Sequence, residues 1–354
     1  MTPDLPELPG ILSREALRST VDSIAAVQER SGAIPWFAGG QLDPWDHVEA
    51  AMALDVGGRH ARARAAYRWL RAEQRPDGSW PALYRDGKPA GEVAETHHAA
   101  YVAVGLWHHF LASGDEAFLA ELWPTVRRAL DFVVRHQAAS GAIAWAVDPV
   151  TGPDDVALLT GCASTYQGLR CAVAIADRLD RGQPDWELAA TDLADALRCK
   201  PDLFADKSRY SMDWYYPVLG GAVRGPLAAC RLADRWDEFV VPGFGIRCVA
   251  DRPWVTGAET CELALALHAI GDADAAVECV AAMQHLREDD GSYWTGLVFD
   301  EGVRWPVERT TWTAAAVVLA VDALTGGHPR SAIFAAAGSA GSDPAEQAQR
   351  AASG

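Results

Sequence analysis

The chain has 354 residues, of which 49% are hydrophobic and 22% charged, and its formal net charge is −17. The apolar fraction is ample for a large buried core, while the negative charge repels nucleic-acid phosphates and anionic lipid headgroups. Apolar runs end well before the roughly 18 residues of a membrane span. We therefore expect neither nucleic acid nor a membrane as a partner.

The N-terminal sequence and the cysteines indicate the cellular compartment. The opening residues, MTPDLPELPGILSREAL, lack the basic and apolar segments of a signal peptide. The seven cysteines are odd in number and have no CxxC spacing; five of them are Cys162, Cys171, Cys230, Cys261 and Cys279. This pattern predicts buried free thiols in a reducing cytoplasm, with no disulfide framework.

Four short segments repeat one order of residues, in which a helical run ends at Gln and is followed by a Gly turn and a Trp. These segments are residues 28–36, 74–80, 137–145 and 284–294. Recurring helix ends tens of residues apart are typical of arrays of helical hairpins, in which each unit packs on its neighbours.

The helical segments between these turns alternate in character along the chain. One set carries charged residues on one face and predicts outer helices over residues 15–28, 60–74, 116–137, 185–198 and 273–286. The other set is rich in Ala, Gly and Leu and predicts inner helices over residues 46–56, 95–113, 161–179, 214–234, 257–270 and 308–325.

Six inner helices predict an all-α fold, an (α/α)6 toroid. We place the sixth outer helix within residues 328–338. Residues 1–336 are expected to form a single domain, and residues 337–354, which are poor in bulky hydrophobic residues, a disordered tail.

Polar and aromatic residues collect where the predicted inner helices begin. All inner helices of such a ring run parallel, so these residues should meet at one mouth. Helix capping explains some of the acids and hydroxyls, but not the recurring aromatic residues and histidines. The candidate substrate-binding residues are Trp36, Trp45, Asp46, His47, Glu95, His97, Tyr166, Trp214, Tyr215, Trp254 and Trp294.

Carboxylates are the expected catalytic groups. Two carboxyl groups held at different pKa values can protonate a leaving oxygen and activate water, or protonate an alkene in a cation cascade. The candidates are Glu308, Asp213, Glu259 and Asp155. No metal site and no cofactor are predicted, because His97 and His98 are adjacent on a helix and no HExxH motif, GxSxG elbow or phosphate loop occurs.

Two segments carry a resemblance to a known family. They are DPWDHVEAAMALDVGGRHARARAAYRWLRAEQRPDGSWPALYRDGK and LWHHFLASGDEAFLAELWPTVRRALDFV, and with ERTTWTAAAVVLA they resemble glycoside hydrolases of the glucoamylase and trehalase type. The resemblance implies an (α/α)6 barrel and an inverting enzyme with its general base near Glu301 or Glu308. The family's acid is a Glu after a Trp; here Ala146 follows Trp145, which leaves Asp148, Asp154 or Asp155.

The Gln, Gly and Trp turns are also similar to the QW repeats of squalene cyclases and prenyltransferases. The DxDD acid motif of class II terpene cyclases is absent, since GPDDVALL offers only Asp154 and Asp155. The leading hypothesis is a carbohydrate-active enzyme, glycoside hydrolase-like, that acts on a small glycoside or oligosaccharide. The alternatives are an isoprenoid-acting cyclase or transferase and a non-catalytic binding barrel.

Overall fold

The computed structural model describes residues 5–335, and most of them are helical. In chain order the helices are α1 (Arg14–Val27), α2 (Pro44–Val56), α3 (His60–Glu73), α4 (Thr96–Ser113), α5 (Glu116–Arg135), α6 (Leu159–Arg178), α7 (Pro184–Cys199), α8 (Ser211–Leu219), α9 (Gly225–Asp234), α10 (Trp236–Phe239), α11 (Gly257–Ala269), α12 (Ala273–Ala282), α13 (Thr311–Thr325) and α14 (Ala332–Ala335).

Six of these helices form a closed inner ring. In ring order they are α2, α4, α6, α8, α11 and α13, and α13 packs against α2 to close the circle. Every residue of α2 is buried, as expected for a helix that is apolar around most of its circumference. The outer helices α1, α3, α5, α7, α9 and α12 are each joined to the ring as hairpins. The predicted (α/α)6 toroid is confirmed.

Three of the four repeated Gln residues join neighbouring outer helices, whereas the Gln284 amide bonds Val280 and Met283 just before it. The Gln28 side chain donates hydrogen bonds to the carbonyls of Gly32 in its own turn (3.1 Å) and of Arg62 in α3 (3.0 Å). Gln74 and Gln137 make the equivalent pairs of bonds to α5 and α7. The sequence repeat is therefore a structural joint.

The glycine of each joint allows a close approach between backbones. Gly141 has φ +95°, and a Cβ atom there would lie 2.4 Å from the Asp192 carbonyl oxygen of α7. In the fourth repeat, Gly291 has φ +86°, and a Cβ atom there would lie 2.4 Å from Ser19 of α1. The last turn thus packs on the first outer helix and closes the outer layer.

Three predicted helix boundaries were wrong. The segment 214–234 is not one inner helix, because the chain turns at Gly220 and Gly221 and returns as α9. Helix α9 is the sixth outer helix, so the one predicted within 328–338 is not needed. Residues 329–335 form a 3₁₀ turn and α14, in which Arg330 pairs with Asp322 of α13. Helix α13 begins at Thr311, capped by Thr310, and not at residue 308.

Short strands cover the end of the ring at which the inner helices begin, which we call the mouth. They are β1 (Tyr84–Arg85), β2 (Lys88–Pro89), β3 (Ala94–Glu95), β4 (Ala146–Asp148), β5 (Gly152–Pro153), β6 (Val240–Val241), β7 (Gly245–Arg247), β8 (Trp254–Thr256), β9 (Gly296–Val298) and β10 (Val303–Arg304). They form the antiparallel sheets β1-β2, β3-β4-β5 and β10-β9-β8-β7-β6. In the last of these, Val255 of β8 pairs with Leu297 of β9.

The remaining expectations concern the cysteines, the tail and membranes. All seven cysteines are free, but Cys199 and Cys230 are exposed, so the prediction that Cys230 is buried was wrong. The predicted tail, residues 337–354, lies outside the described residues. Among residues 5–335, no helix combines the length and the apolar character needed to cross a bilayer.

Candidate active site

Three carboxyl groups occupy equivalent places at the mouth. Asp46, Asp213 and Glu259 are each the third residue of an inner helix, α2, α8 and α11. The three residues are buried to a similar depth, with 8%, 8% and 5% of their surfaces exposed. Because the inner helices begin at the same end of the ring, these groups line one opening.

Asp46 is held by the turn that begins α2. Asp43 caps this helix by accepting hydrogen bonds from the backbone N–H groups of Trp45 and Asp46 (both 2.9 Å). The indole N–H of Trp36 donates to the other Asp43 oxygen at 2.7 Å, which fixes the preceding loop on the cap. The predicted residues Trp36, Trp45 and Asp46 are therefore brought together.

Asp46 has the electrostatic environment of a proton donor. Burial raises the pKa of Asp46 well above its usual range, and the carboxylates of Asp43, Glu49 and Glu262 raise it further. The carboxyl groups of Asp46 on α2 and Glu262 on α11 are therefore close enough to interact. A carboxyl group whose pKa is raised in this way suits general acid catalysis.

Glu49 and Glu262 lie one helical turn below Asp46 and Glu259, and the sequence analysis missed both. The Tyr101 hydroxyl donates to Glu49 at 2.8 Å, whereas the Tyr215 and Tyr216 hydroxyls donate to Glu262. Burial raises the pKa of Glu49 to about 8 and that of Glu262 well above its usual range. The available signal was an acid three residues after another acid on an otherwise apolar helix.

Glu259 and Asp213 differ in their hydrogen bonds. Glu259 Oε2 is buried and has no hydrogen-bond partner among the described residues. Asp213 instead accepts a hydrogen bond from the Thr160 hydroxyl of α6 at 2.7 Å. Burial raises the pKa of Asp213, although this hydrogen bond and the charge of Arg231 oppose the shift. Glu259 thus keeps one buried oxygen whose hydrogen-bonding capacity no described protein group uses.

Aromatic side chains line the cavity beside these acids. The Trp45 ring stacks on Tyr101, with centroids 4.6 Å apart, and meets the edge of Trp312 at 6.1 Å. Its indole N–H donates to Ser164 of α6 at 3.2 Å. Such a wall offers flat apolar faces with fixed polar groups nearby, which suits a sugar ring.

Glu95, His97 and His98 form a cluster at the mouth, in contrast to the expectation that the two histidines diverge. The Trp145 indole donates to Glu95 Oε2 at 3.1 Å. The His97 and His98 Nε2 atoms lie 3.5 Å and 3.7 Å from the same oxygen. Burial lowers the pKa of His97, so this ring is neutral near pH 7. The cluster is compact enough to hold a metal ion, and its ring nitrogens equally suit sugar hydroxyls.

Three predicted binding residues pack away from the mouth. His47 bonds the backbone of Ile34 and Ala66, between α2 and α3. Trp214 stacks on Phe239 and donates to the backbone of α9. Tyr166 lines a small pocket between α6 and α7. Successive helical residues point in different directions, and only those on one stripe of each inner helix face the cavity.

The other predicted residues occupy the rim or the outside of the mouth. Trp254 meets the edge of Trp305 at 4.7 Å on the rim, and Asp155 is exposed in the loop before α6. Glu308 and Trp294 line a groove of about 920 Å³ against α1. Burial raises the pKa of Glu308, but the residue precedes α13 and does not share the cavity position of Asp46.

A second histidine cluster occupies the opposite end of the ring. Asp55 is bonded to His60 at 2.8 Å and to His109 at 2.9 Å. Burial opposes ionisation of Asp55, but the hydrogen bonds from these histidines lower its pKa. Although the three side chains are close enough for a metal ion, these distances are those of hydrogen bonds, and the cluster joins α2, α3 and α4.

Solved structures share the helical toroid. A glycosidase variant in complex with glucose superposes with a TM-score of 0.71 and 16% identity, over 88% of this chain and 96% of that one. A D-mannose isomerase gives 0.64 and 10%, over 89% and 99%. An alpha-amylase from Clostridium perfringens gives 0.61 and 9%, over 86% and 97%. At these identities the likeness concerns the fold alone.

A relative from Mycolicibacterium hassiacum, an MMP endo-(1,4)-3-O-methyl-alpha-D-mannosidase, is 57% identical over 330 residues, which are 93% of this chain and 92% of that protein. The chain belongs to the family of this mannosidase and is a glycoside hydrolase. No protein-family model matches it. These findings support the carbohydrate-active hypothesis and give no support to the isoprenoid alternative.

Proposed function

We propose that the protein hydrolyses internal α-(1,4) linkages in chains of 3-O-methylated mannose. The observation that carries this proposal is the 57% identity to the mannosidase, which extends over 93% of the chain and therefore includes the mouth loops as well as the helices. A cavity with aromatic walls beside carboxyl groups suits a sugar whose 3-hydroxyl is replaced by an apolar methyl ether.

We assign Asp46 as the general acid and Glu259 as the general base. Burial and the neighbouring carboxyl groups raise the pKa of Asp46, which favours the protonated form that can donate to the glycosidic oxygen. Glu259 is on a separate inner helix and has an unpartnered oxygen that can accept a proton from water. Asp213 is held by Thr160 and serves as an acceptor for a substrate hydroxyl.

The resemblance to the glucoamylase and trehalase type carries two finer hypotheses. It places the base at Glu301 or Glu308 instead of Glu259, and it predicts inversion at the anomeric carbon. Proton NMR of the first product formed distinguishes inversion from retention, since the two mannose anomers have different signals before they equilibrate. We propose inversion and test the position of the base below.

The activity is tested by incubating the protein with 3-O-methylated α-(1,4)-mannose oligosaccharides and with unmethylated oligosaccharides of the same length. We expect mass spectrometry to show internal fragments of intermediate size from the methylated chains. Release of only one terminal sugar at a time contradicts internal cleavage. Absence of any product from the methylated chains contradicts the proposed substrate.

We also propose that the enzyme acts in the cytoplasm as a single domain over residues 1–336. The seven free cysteines suit a reducing compartment. The buried hydrophobic residues form one continuous cluster from Leu8 to Phe334, which suits one folding unit. Limited proteolysis that leaves one resistant core supports the single domain, and two separable fragments contradict it.

A further inference from the structure

The loops that surround the mouth differ in length in a regular way. They precede α2, α4, α6, α8, α11 and α13 and comprise residues 28–43, 74–95, 136–158, 200–210, 235–256 and 283–310. The two shortest precede α2 and α8. In the ring order α2, α4, α6, α8, α11, α13, these two helices lie opposite each other. The loops around the mouth are therefore shortest at two opposite points.

The longer loops are joined in pairs by β-sheets. Strand β3, before α4, pairs with β4, before α6. We call their sheet, with loop residues 93–95 and 136–156, the first lip. Strand β8, before α11, pairs with β9, before α13. We call their five-stranded sheet, with loop residues 240–256 and 283–307, the second lip. Among the described residues, the two short loops add no strand to these sheets and join their neighbours through isolated contacts. They include the bridges of Leu42 with Tyr84 and Tyr210 with Val249, the hydrogen bond from the Ala205 N–H to the Ala157 carbonyl, and the ion pair of Arg209 with Asp251. Two sheet-bearing lips thus lie on opposite sides of the mouth.

Exposed apolar side chains are concentrated on these lips. Ten large hydrophobic residues are exposed among the described residues, and eight of them belong to the mouth loops. The first lip carries Val93, Val150 and Val156. The second lip carries Phe244, Val303, Trp305 and Val307. Clustered exposed apolar residues around a functional opening mark a binding surface.

We propose that the mouth is a cleft open at both ends, in which a linear methylated glycan crosses from the α2 side to the α8 side while its methyl groups contact both lips. This inference rests on the proposed function and adds where the chain lies and how its methylation is read. A chain that leaves the site in both directions can be cut internally, which a pocket closed on one side prevents.

The chemistry of the lips favours this occupant over others. A 3-O-methyl group replaces a hydroxyl donor with an apolar surface, and valine and aromatic side chains gain contact area with it. The net charge of −17 opposes nucleic acids and anionic lipid surfaces. Asp46, Asp213 and Glu259 lie in the first turns of the inner helices that these loops precede, so a chain bound between the lips passes over the carboxyl groups.

The test compares two double variants with matched exposure. Val150→Ser with Val303→Ser changes one exposed apolar residue of each lip, at 91% and 48% exposure; Val307 is left unchanged because it lines the groove against α1. Leu188→Ser with Leu227→Ser changes exposed residues on the outer helices α7 and α9, at 61% and 70% exposure. All four side chains are exposed, so both variants should fold as the wild type does, and far-UV circular dichroism checks this.

With a methylated α-(1,4)-mannose chain of about twelve units, we expect the lip variant to raise KM at least about fivefold, by loss of apolar contact. Its kcat, and its KM for a chain of about four units, should stay unchanged, and the control variant should match the wild type throughout. Wild-type enzyme should also cleave the long chain when bulky groups block both ends. An unchanged KM in the lip variant, or failure of the wild type to cleave blocked chains, contradicts the proposal of a cleft open at both ends.

Binding separates a failure of the cleft from a failure of the proposed function. If the wild type cleaves no methylated mannose chain, the proposed substrate reaction is wrong. Calorimetric binding of the same methylated chains still tests the cleft, and we expect the lip variant to bind the long chain at least about fivefold more weakly. Equal binding by the lip variant and the wild type, or no binding by either, overturns it.

Discussion

Asp46 and Glu259 owe their assigned roles to their immediate surroundings. Both are the third residue of a helix, where acids commonly interact with the helix N-terminus. At Asp46, burial and three nearby carboxylates outweigh that effect and raise its pKa. The position in the sequence is therefore ordinary, and the chemical role comes from neighbours that belong to other helices.

Asp46→Asn should lower kcat at least about a hundredfold, because the amide cannot donate the proton that the leaving oxygen needs. The measurement is steady-state hydrolysis of a methylated mannose oligosaccharide. Asp22→Asn on the exposed face of α1 is the control and should keep wild-type activity. A folded Asp46→Asn enzyme with near-normal kcat would remove Asp46 from the reaction.

Glu259→Gln and Glu308→Gln together locate the general base. We expect Glu259→Gln to lose at least about a hundredfold in kcat, and Glu308→Gln to lose less than about fivefold, because Glu308 lines the groove against α1. The reverse result would favour the base position that the glucoamylase and trehalase resemblance implies. Unchanged thermal unfolding of both variants is the necessary control.

Glu49 should make the protein less stable as pH rises. Its pKa is about 8 in the folded protein, whereas a glutamate carboxyl group in water has a pKa of 4.5. Between these values the folded state holds a proton that the unfolded state has released, so the free energy of unfolding falls with rising pH. We expect Glu49→Gln to flatten this fall between pH 4.5 and 8, measured by urea unfolding. A slope identical to that of the wild type would show that Glu49 titrates normally.

At the scale of single elements, the Gln turns explain how neighbouring hairpins are joined. The Gln137 side chain links the Gly141 carbonyl of its own turn to the Ala189 carbonyl of α7, both at 2.9 Å. The next outer helix is thereby fixed relative to the turn. The same contact recurs at Gln28 and Gln74, so the repeat in the sequence corresponds to a repeated contact between elements.

Gln137→Ala should reduce the free energy of unfolding by about 1–3 kcal/mol, since two backbone carbonyls lose their donor. Gln183→Ala is the matched control, because the exposed Gln183 side chain bonds the nearby Arg181 carbonyl and no other described residue. It should cost less than about 0.5 kcal/mol. Chemical denaturation measures both. An equal effect of the two changes would contradict the role of the joint.

At the scale of the whole molecule, the ring is closed twice. The inner layer closes where α13 packs on α2, and the outer layer closes where the turn at Gly291 meets α1. The Arg287 side chain also donates to the Ala16 carbonyl of α1 at 3.3 Å. Contacts between residues nearly 300 positions apart therefore hold the six inner helices around one cavity.

Gly291→Ala should lower the melting temperature more than Gly302→Ala does. Both glycines have positive φ, +86° and +70°, so both alanines carry a similar backbone penalty. The Cβ atom at 291 would lie 2.4 Å from Ser19 of another helix, whereas the one at 302 meets no described residue within 4 Å. Equal shifts in calorimetry would mean that this contact does not help to close the ring.

The sequence by itself determined the toroid, because helix periodicity, apolar inner segments and the Gln turns are local patterns that recur along the chain. It also indicated carbohydrate chemistry and named Asp46 and Glu259 among its acids. It gave no means of separating these from His47, Trp214 or Tyr166, because which side of an inner helix faces the cavity depends on how the ring closes. The sequence pattern predicted one helix over residues 214–234, because both α8 and α9 are rich in apolar residues and a short turn at Gly220 and Gly221 separates them.

Only the tertiary structure decided which residues act together. Glu49 and Glu262 raise the pKa of Asp46, although Glu262 is more than 200 positions away in the chain. Glu95, His97 and His98 lie together where β3, which ends at Glu95, pairs with β4 of another loop. The two lips arise from pairings between loops of different hairpins. Electrostatic coupling and strand pairing depend on the distances between side chains and strands in space. A local sequence pattern does not specify the distance between residues that are far apart in the chain.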